Sequence, residues 1–390
     1  MNTYGRFGVA LEKGNERSCV DENGKEYIDF GSGIGTNSLG FCDSSWADAV
    51  CAQVRSIQHT SNYYYTKVQA DFAEKLCKTA GYSKVFFGNS GAEANECAIK
   101  LARKYSFDKY GRGRHNIVTL VNSFHGRTLC TLAATGQEIF HNYFFPFPEG
   151  FIYAKANDMT DLESKLDGAC AVMLEFVQGE GGVIPLEREF VNFVFDICAK
   201  KDILVIADEV QTGTGRTGSF LASENYGVKP DITTLAKGLA GGIPIGACLA
   251  SERLSRVLTK GTHGSTFGGN PIACAGGSAV IDRITSPGFL DEVRAKGKYF
   301  KEKLEGLDEV ESVTGTGLMI GISLKTKSAS DIAAEALENG LLVLTAKDKI
   351  RLLPPLNITY GEIDKGMEIL KNILELSLIH ISEPTRPISI

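Results

Sequence analysis

The chain has 390 residues, 43% of them hydrophobic and 23% charged, a balance that supports a sizeable core in one large or two ordinary domains. Its formal net charge of -6 excludes the broad basic surface that draws a protein to nucleic acid or to anionic membrane, so an anionic ligand would have to meet local arginines. Ten cysteines with no Cys-x-x-Cys pair, and six scattered histidines, indicate neither a disulfide framework nor a zinc site, so no metal is expected and a reducing cytoplasm fits best.

Met1 to Arg6 do not open an apolar signal segment, and no later stretch is long enough to span a bilayer. Between Cys19 and Phe30, Asn23-Gly24 separates two short apolar runs, the pattern of a β-hairpin. Residues 1–45 are expected to pack with the C-terminal domain. From 46 to 275, apolar runs at Lys84–Phe87, Ile117–Val121, Ala171–Val177, Ile203–Ala207, Ile232–Leu235 and Ile245–Ala250 alternate with helical patterns. That alternation predicts an α/β fold, with a mostly parallel sheet covered on both faces in a large domain. The clearest helix begins after Ser90 and puts Ala94, Cys97, Ala98, Leu101 and Tyr105 on one side; another runs from about Val191 to Lys201. Residues 276–375 read as a smaller α+β domain, with a long Lys- and Glu-rich helical stretch from Pro271 through Leu304, alternating runs around Val313–Leu324 and a last helix from about Gly361 to Glu375. Residues 376–390, which include Pro384 and Pro387, read as a disordered tail or a sequence-end artefact outside the fold.

Three positions carry chemistry in this pattern. Lys237 follows the apolar run Ile232–Leu235 and precedes Gly238, Gly241 and Gly242, where close backbone approach to a ligand is easy. Asp208 ends the run Ile203–Ala207, at the strand end where open α/β sheets place ligands. A lysine and an acid so placed suit a carbonyl cofactor of the pyridoxal phosphate kind, held as a Schiff base on Lys237 with Asp208 facing the pyridinium nitrogen. Phe87-Gly88-Asn89-Ser90-Gly91-Ala92-Glu93 joins a strand to a helix, and its capping-box pattern opens a helix N-terminus suited to a phosphate. Each signal alone also reads as a plain cap, a solvated strand-end acid or a surface lysine. Gly213-Thr214-Gly215-Arg216-Thr217-Gly218 matches a dinucleotide fingerprint formally, but no apolar helix follows it and no acid sits at the expected distance, so a glycine-rich active-site loop is expected instead.

Six ordered segments, Asn89–Glu96, Phe124–Thr128, Gln178–Gly182, Asp208–Gly213, Leu235–Gly238 and Ser265–Pro271, together resemble the class III pyridoxal-phosphate aminotransferases over roughly residues 5 to 375. The resemblance implies a fold-type-I homodimer with shared active sites. It implies that Lys237 tethers the cofactor and moves the substrate proton, and that Asp208 pairs with the ring nitrogen. Val210 and Phe124 would pack on the two ring faces and Gln211 would lie near the phenolic oxygen. Ser90, Gly91 and Ala92 would hold the phosphate, helped by Thr266 of the partner subunit. On the substrate side it points to Arg127, Glu180, Arg351 and Ser265. Arg127 would clamp the distant carboxylate of an ω-amine donor, Arg351 would bind the near carboxylate of glutamate, and Glu180 would neutralise Arg351 when the donor offers no carboxylate there.

The likeness is strongest to members that act on N2-acetyl-L-ornithine, with 2-oxoglutarate as acceptor, in arginine biosynthesis. Ornithine, succinylated donors and 4-aminobutyrate use the same machinery and remain open. So do an aminomutase on this scaffold, a nicotinamide oxidoreductase built on Gly213–Gly218, and a cofactor-binding regulator.

Overall fold

The computed structural model describes residues 1–381, with side chains through Glu375. Seventeen strands lie among them. Strands β1 (Leu11–Asn15), β2 (Ser18–Asp21) and β3 (Glu26–Asp29) open the chain. The turn between β2 and β3 carries Gly24 at φ +79°, a conformation that glycine adopts without steric cost. Strands β4 (Lys84–Gly88), β5 (Asn116–Leu120), β6 (Phe151–Ala154) and β7 (Ala169–Leu174) follow. After a short hairpin of β8 (Val177–Gln178) and β9 (Ile184–Pro185) come β10 (Leu204–Asp208), β11 (Ile232–Leu235) and β12 (Gly246–Ala250). The last five are β13 (Val310–Thr316), β14 (Met319–Leu324), β15 (Leu341–Leu342), β16 (Leu344–Ala346) and β17 (Lys349–Leu352).

The central sheet has seven strands in the order β4-β12-β11-β10-β7-β5-β6, and only β12 runs against its neighbours. Every residue of β7, β10, β11 and β12 is buried, as expected of strands covered on both faces. The helix Gly91–Tyr110 buries Ala94, Cys97, Ala98 and Leu101 against β11 and β12, the side its spacing selects. Ser90 caps it by accepting the Glu93 N–H at 3.2 Å.

Two sheets lie beyond the central one. The order β13-β14-β17-β16 forms a four-stranded antiparallel sheet, and β1-β2-β3-β15 forms another, in which Leu341 and Leu342 pair in parallel with Ile28 and Asp29. The helical stretch read as continuous from Pro271 through Leu304 is two helices, Pro271–Ile284 and Phe289–Glu305. The break falls at Ser286-Pro287-Gly288, where proline lacks an N–H and Gly288 turns to φ +81°. The last helix, Tyr360–Ile381, runs past its expected end near Glu375. The remainder of the tail expected over 376–390 lies outside the described residues.

Candidate active site

The carboxyl ends of β4, β7, β10 and β11 deliver Asn89, Glu175, Asp208 and Lys237 to one edge of the central sheet, with His125 arriving from the loop after β5. A cavity of about 350 Å³ opens there, within the size range of small-molecule sites. Ser90, Gly91, Ala92, Phe124, Asp208, Val210, Gln211 and Lys237 all line it.

Asp208 is 3% exposed, and three donors fix its carboxylate. Asn95 Nδ2 and His125 Nδ1 each lie 2.7 Å from Oδ2, and the Val210 N–H donates to Oδ1 at 3.0 Å. Asn95 is itself held by donating to the His125 carbonyl at 2.8 Å and accepting from Thr234 Oγ1 at 2.7 Å. His125 Nε2 is buried without a protein partner. Beside this group sits Glu175, whose carboxyl burial pushes up to about 7. It accepts the Phe124 N–H at 2.9 Å and the Gly179 N–H at 3.3 Å.

Lys237 stands at φ +42°, a left-handed backbone that bulky residues rarely adopt, directly after β11. Its amine is held below the ordinary lysine range, chiefly by desolvation, with Glu180 opposing and Arg351 assisting. A lysine with a depressed pKa is a better nucleophile toward a carbonyl at neutral pH.

The lining residues fit pyridoxal phosphate. At the helix N-terminus, a Cβ placed on Gly91 would lie 2.7 Å from Val210 Cγ1, so only glycine leaves room there for the Val210 side chain, and a helix start of this kind suits an anion. Asn89 backs this cradle by donating through its N–H and Nδ2 to the Glu93 carboxylate. The fixed acid, the low-pKa amine and the anion cradle are three separate demands of that cofactor, met in one cavity.

On the substrate side, Arg351 is 3% exposed and its Nη1 lies 2.5 Å from Glu180 Oε1 and 3.2 Å from Gln211 Oε1. Burial pushes the Glu180 carboxyl up, but Arg351, with Lys237 and Gln211, more than offsets it and holds it below the usual carboxylate range. Arg127 is exposed and stacks its guanidinium 4.1 Å from the Phe140 ring and 5.5 Å from the Phe124 ring. Ser265 Oγ accepts from Asn89 Nδ2 at 3.2 Å, behind the cradle. Thr266 is exposed and lies with His59, Asn62 and Gln69, away from the cavity of its own chain.

One expectation fails here. Gly213–Gly218 is no active-site loop, for none of it lines the cavity. The segment is a buried clasp: Arg216 donates through Nη1 to the carbonyls of Leu318 at 3.0 Å and Pro354 at 2.5 Å. Glu209, next to Asp208, accepts from the Ala222 and Ser223 N–H groups and caps the helix Ala222–Tyr226. Glu175, His125 and Asn95 were not singled out from the sequence, although Glu175 ends an apolar strand just as Asp208 does.

A fixed acid and a desolvated lysine at the carboxyl edge of such a sheet, with a helix N-terminus across from them, define a cofactor-dependent transferase. The aminotransferase class-III family model matches residues 2–374. Acetylornithine aminotransferase of Haemophilus ducreyi is 49% identical over 375 residues, covering 95% of each chain. Among solved structures, ornithine aminotransferase of Toxoplasma gondii, with partial occupancy of PLP at its active site, superposes with a TM-score of 0.93 at 30% identity, covering 98% of this chain and 93% of the other. N-acetylornithine aminotransferase of Stenotrophomonas maltophilia gives 0.85 at 33% identity, covering 97% and 99%. The chain belongs to the class-III aminotransferases, and its cofactor is pyridoxal phosphate.

Proposed function

We propose that the protein transfers the terminal amino group of N2-acetyl-L-ornithine to 2-oxoglutarate, giving N-acetylglutamate semialdehyde and glutamate, as a cytoplasmic homodimer in arginine biosynthesis. The observation that carries this reading is the Arg351–Glu180 pair. A pocket that must take an ω-amine donor and then a 2-oxo acid needs a cation that can be offered and withdrawn. The kinship to acetylornithine aminotransferases supports the choice of donor.

Bound in the cavity, pyridoxal phosphate supplies a carbonyl for the amino group and an electron sink for the adjoining carbon. The protein supplies the rest. Asp208, fixed by Asn95 and His125, would pair with the ring nitrogen. Val210 and Phe124 would confine the ring, and Gln211 would serve the phenolic oxygen. Ser90, Gly91 and Ala92 would hold the phosphate. Lys237 Nζ, low in basicity through desolvation, gives up its proton readily and would serve as the carrier of the substrate proton.

Arg127 holds the donor's far carboxylate while Glu180 stays on Arg351. In the second half-reaction the near carboxylate of 2-oxoglutarate displaces Glu180 and takes Arg351 as a planar fork. Thr266, exposed beside the bare Tyr63, Tyr64, Tyr65 and Phe267 rings, suits a subunit that completes its partner's phosphate site.

The likeness in shape to an ornithine aminotransferase favours free ornithine as a second reading. The experiment is a donor panel of N2-acetyl-L-ornithine, L-ornithine, N2-succinyl-L-ornithine and 4-aminobutyrate, read by loss of the visible cofactor band and its return on adding 2-oxoglutarate. The highest kcat/KM is expected for acetylornithine. A higher value for another donor overturns that choice, and return of the band without any 2-oxo acid overturns transamination.

A further inference from the structure

A second cavity, of about 270 Å³, lies between the helix Gly91–Tyr110, strands β4 and β12, and the segment Leu254–His263. It shares two elements with the cofactor site but none of its lining residues. Cys97 from the helix and Cys248 from β12 face it, 1% and 2% exposed, with His263 and Phe86 across from them. The His263 ring packs 4.6 Å from the Phe86 ring, and Lys100 Nζ lies 3.0 Å from His263 Nδ1 and 2.8 Å from the Thr262 carbonyl. Because a lysine ammonium only donates, Nδ1 is the accepting nitrogen, and the neutral imidazole therefore bears its proton on Nε2.

This is an unusual setting for buried thiols in a protein with ten free cysteines. Burial pushes Cys198 and Cys274 up to about 12 and leaves them inert small hydrophobes. Cys97 goes the other way: the Cys248 thiol, then His263 and Lys100, hold it below the ordinary thiol range in spite of its burial. Cys248 is pushed up, by its Cys97 neighbour first and by burial next. Two thiols and an oriented imidazole around an empty volume form a nucleophile with room in front of it.

We propose that this cavity is a second reactive site, in which Cys97, lining it together with Cys248 and His263, takes up a small neutral sulfur electrophile. The Cys97 proton passes to buffer. Its Sγ then attacks the electrophilic sulfur, a new S–S bond forms, the bond to the leaving group breaks, and the leaving group departs with the electron pair.

The test uses the holoenzyme and limiting methyl methanethiosulfonate near pH 6.5, with methanesulfinate as the leaving group, followed by peptide mapping of thiomethyl occupancy at every cysteine over time. Cys97 is expected to label at least about tenfold faster than Cys170, Cys198 and Cys274, which are as deeply buried. Labelling of all four at one rate overturns the proposal, because it reports only opening of the fold. His263→Gln and Lys100→Ala are each expected to slow Cys97 severalfold while the exposed Cys42 and Cys51 keep their rates. Unchanged labelling of Cys97 in both variants overturns the assignment of His263 and Lys100 to the site.

Discussion

Arg351 Nη1 lies 2.5 Å from Glu180 Oε1, and under the proposed function that contact is where one pocket would serve two kinds of substrate. Glu180 keeps 29% of its side-chain surface exposed while Arg351 keeps 3%, so the acid is the partner free to swing away and the arginine is the fixed element. Glu180→Ala leaves a buried cation that only a substrate carboxylate can neutralise. Half-reactions with glutamate are expected to hold or improve, whereas kcat/KM for acetylornithine falls by about tenfold or more, equivalent to roughly 1.4 kcal/mol. Stopped-flow decay of the cofactor band separates the two, and an equal loss in both would refute the exchange.

Lys237→Ala is expected to reduce turnover by about 10²–10⁴, the usual contribution of a positioned proton carrier. In the unaltered protein, borohydride after incubation with pyridoxal phosphate should fix the cofactor to the peptide containing Lys237. A label on any other lysine would reassign the site.

Gly91→Ala brings a methyl group to 2.7 Å from Val210 Cγ1. Val210 must then shift toward the ring position, and cofactor affinity is expected to fall by about tenfold, or ~1.4 kcal/mol. Equilibrium dialysis against pyridoxal phosphate measures this, and an unchanged Kd would place the cradle elsewhere.

Glu175 gives a pH signature. Its folded-state pKa of about 7 lies above the ordinary 4.5 because the carboxyl is buried. An acid raised in the folded state favours folding fully below about pH 4.5, and that contribution is lost as the pH climbs through about 7. Glu175→Gln removes this dependence. The stability of the variant relative to the unaltered protein should therefore rise between pH 5 and pH 8 by about 1–3 kcal/mol in urea titrations. A flat difference over that interval would show that Glu175 keeps its charge in the fold.

Arg216→Ala strips the Leu318 and Pro354 carbonyls of a buried donor. The expected cost is about 2–4 kcal/mol of unfolding free energy, with the cofactor band unaltered in whatever protein stays folded. Loss of the band at full stability would return Gly213–Gly218 to the active site.

The central sheet was legible because β7 and β10 are buried on both faces and so read as near-continuous apolar runs. Strand β6 escaped notice: Phe151–Ala154 is a four-residue edge strand, paired only with β5. Strands β15 to β17, two to four residues long, carry too little pattern to register. Ser286-Pro287-Gly288 was a readable helix break that the surrounding Lys- and Glu-rich spacing masked. In the site, Lys237 and Asp208 stood out by their place after apolar runs. The same rule applied to Ala171-Val172-Met173-Leu174 leads to Glu175. Asn95 offered a different cue, a polar residue on the apolar side of its helix beside Ala94 and Ala98, whereas His125 reaches Asp208 only through the folded loop.

Because Ile28 and Asp29 find their parallel partners at Leu341 and Leu342, the opening hairpin has no neighbour on its outer edge until more than three hundred further residues have been synthesised. A nascent chain therefore carries β3 with one edge unpaired, and chaperone occupancy of that edge should end only once Leu341 and Leu342 have emerged from the ribosome.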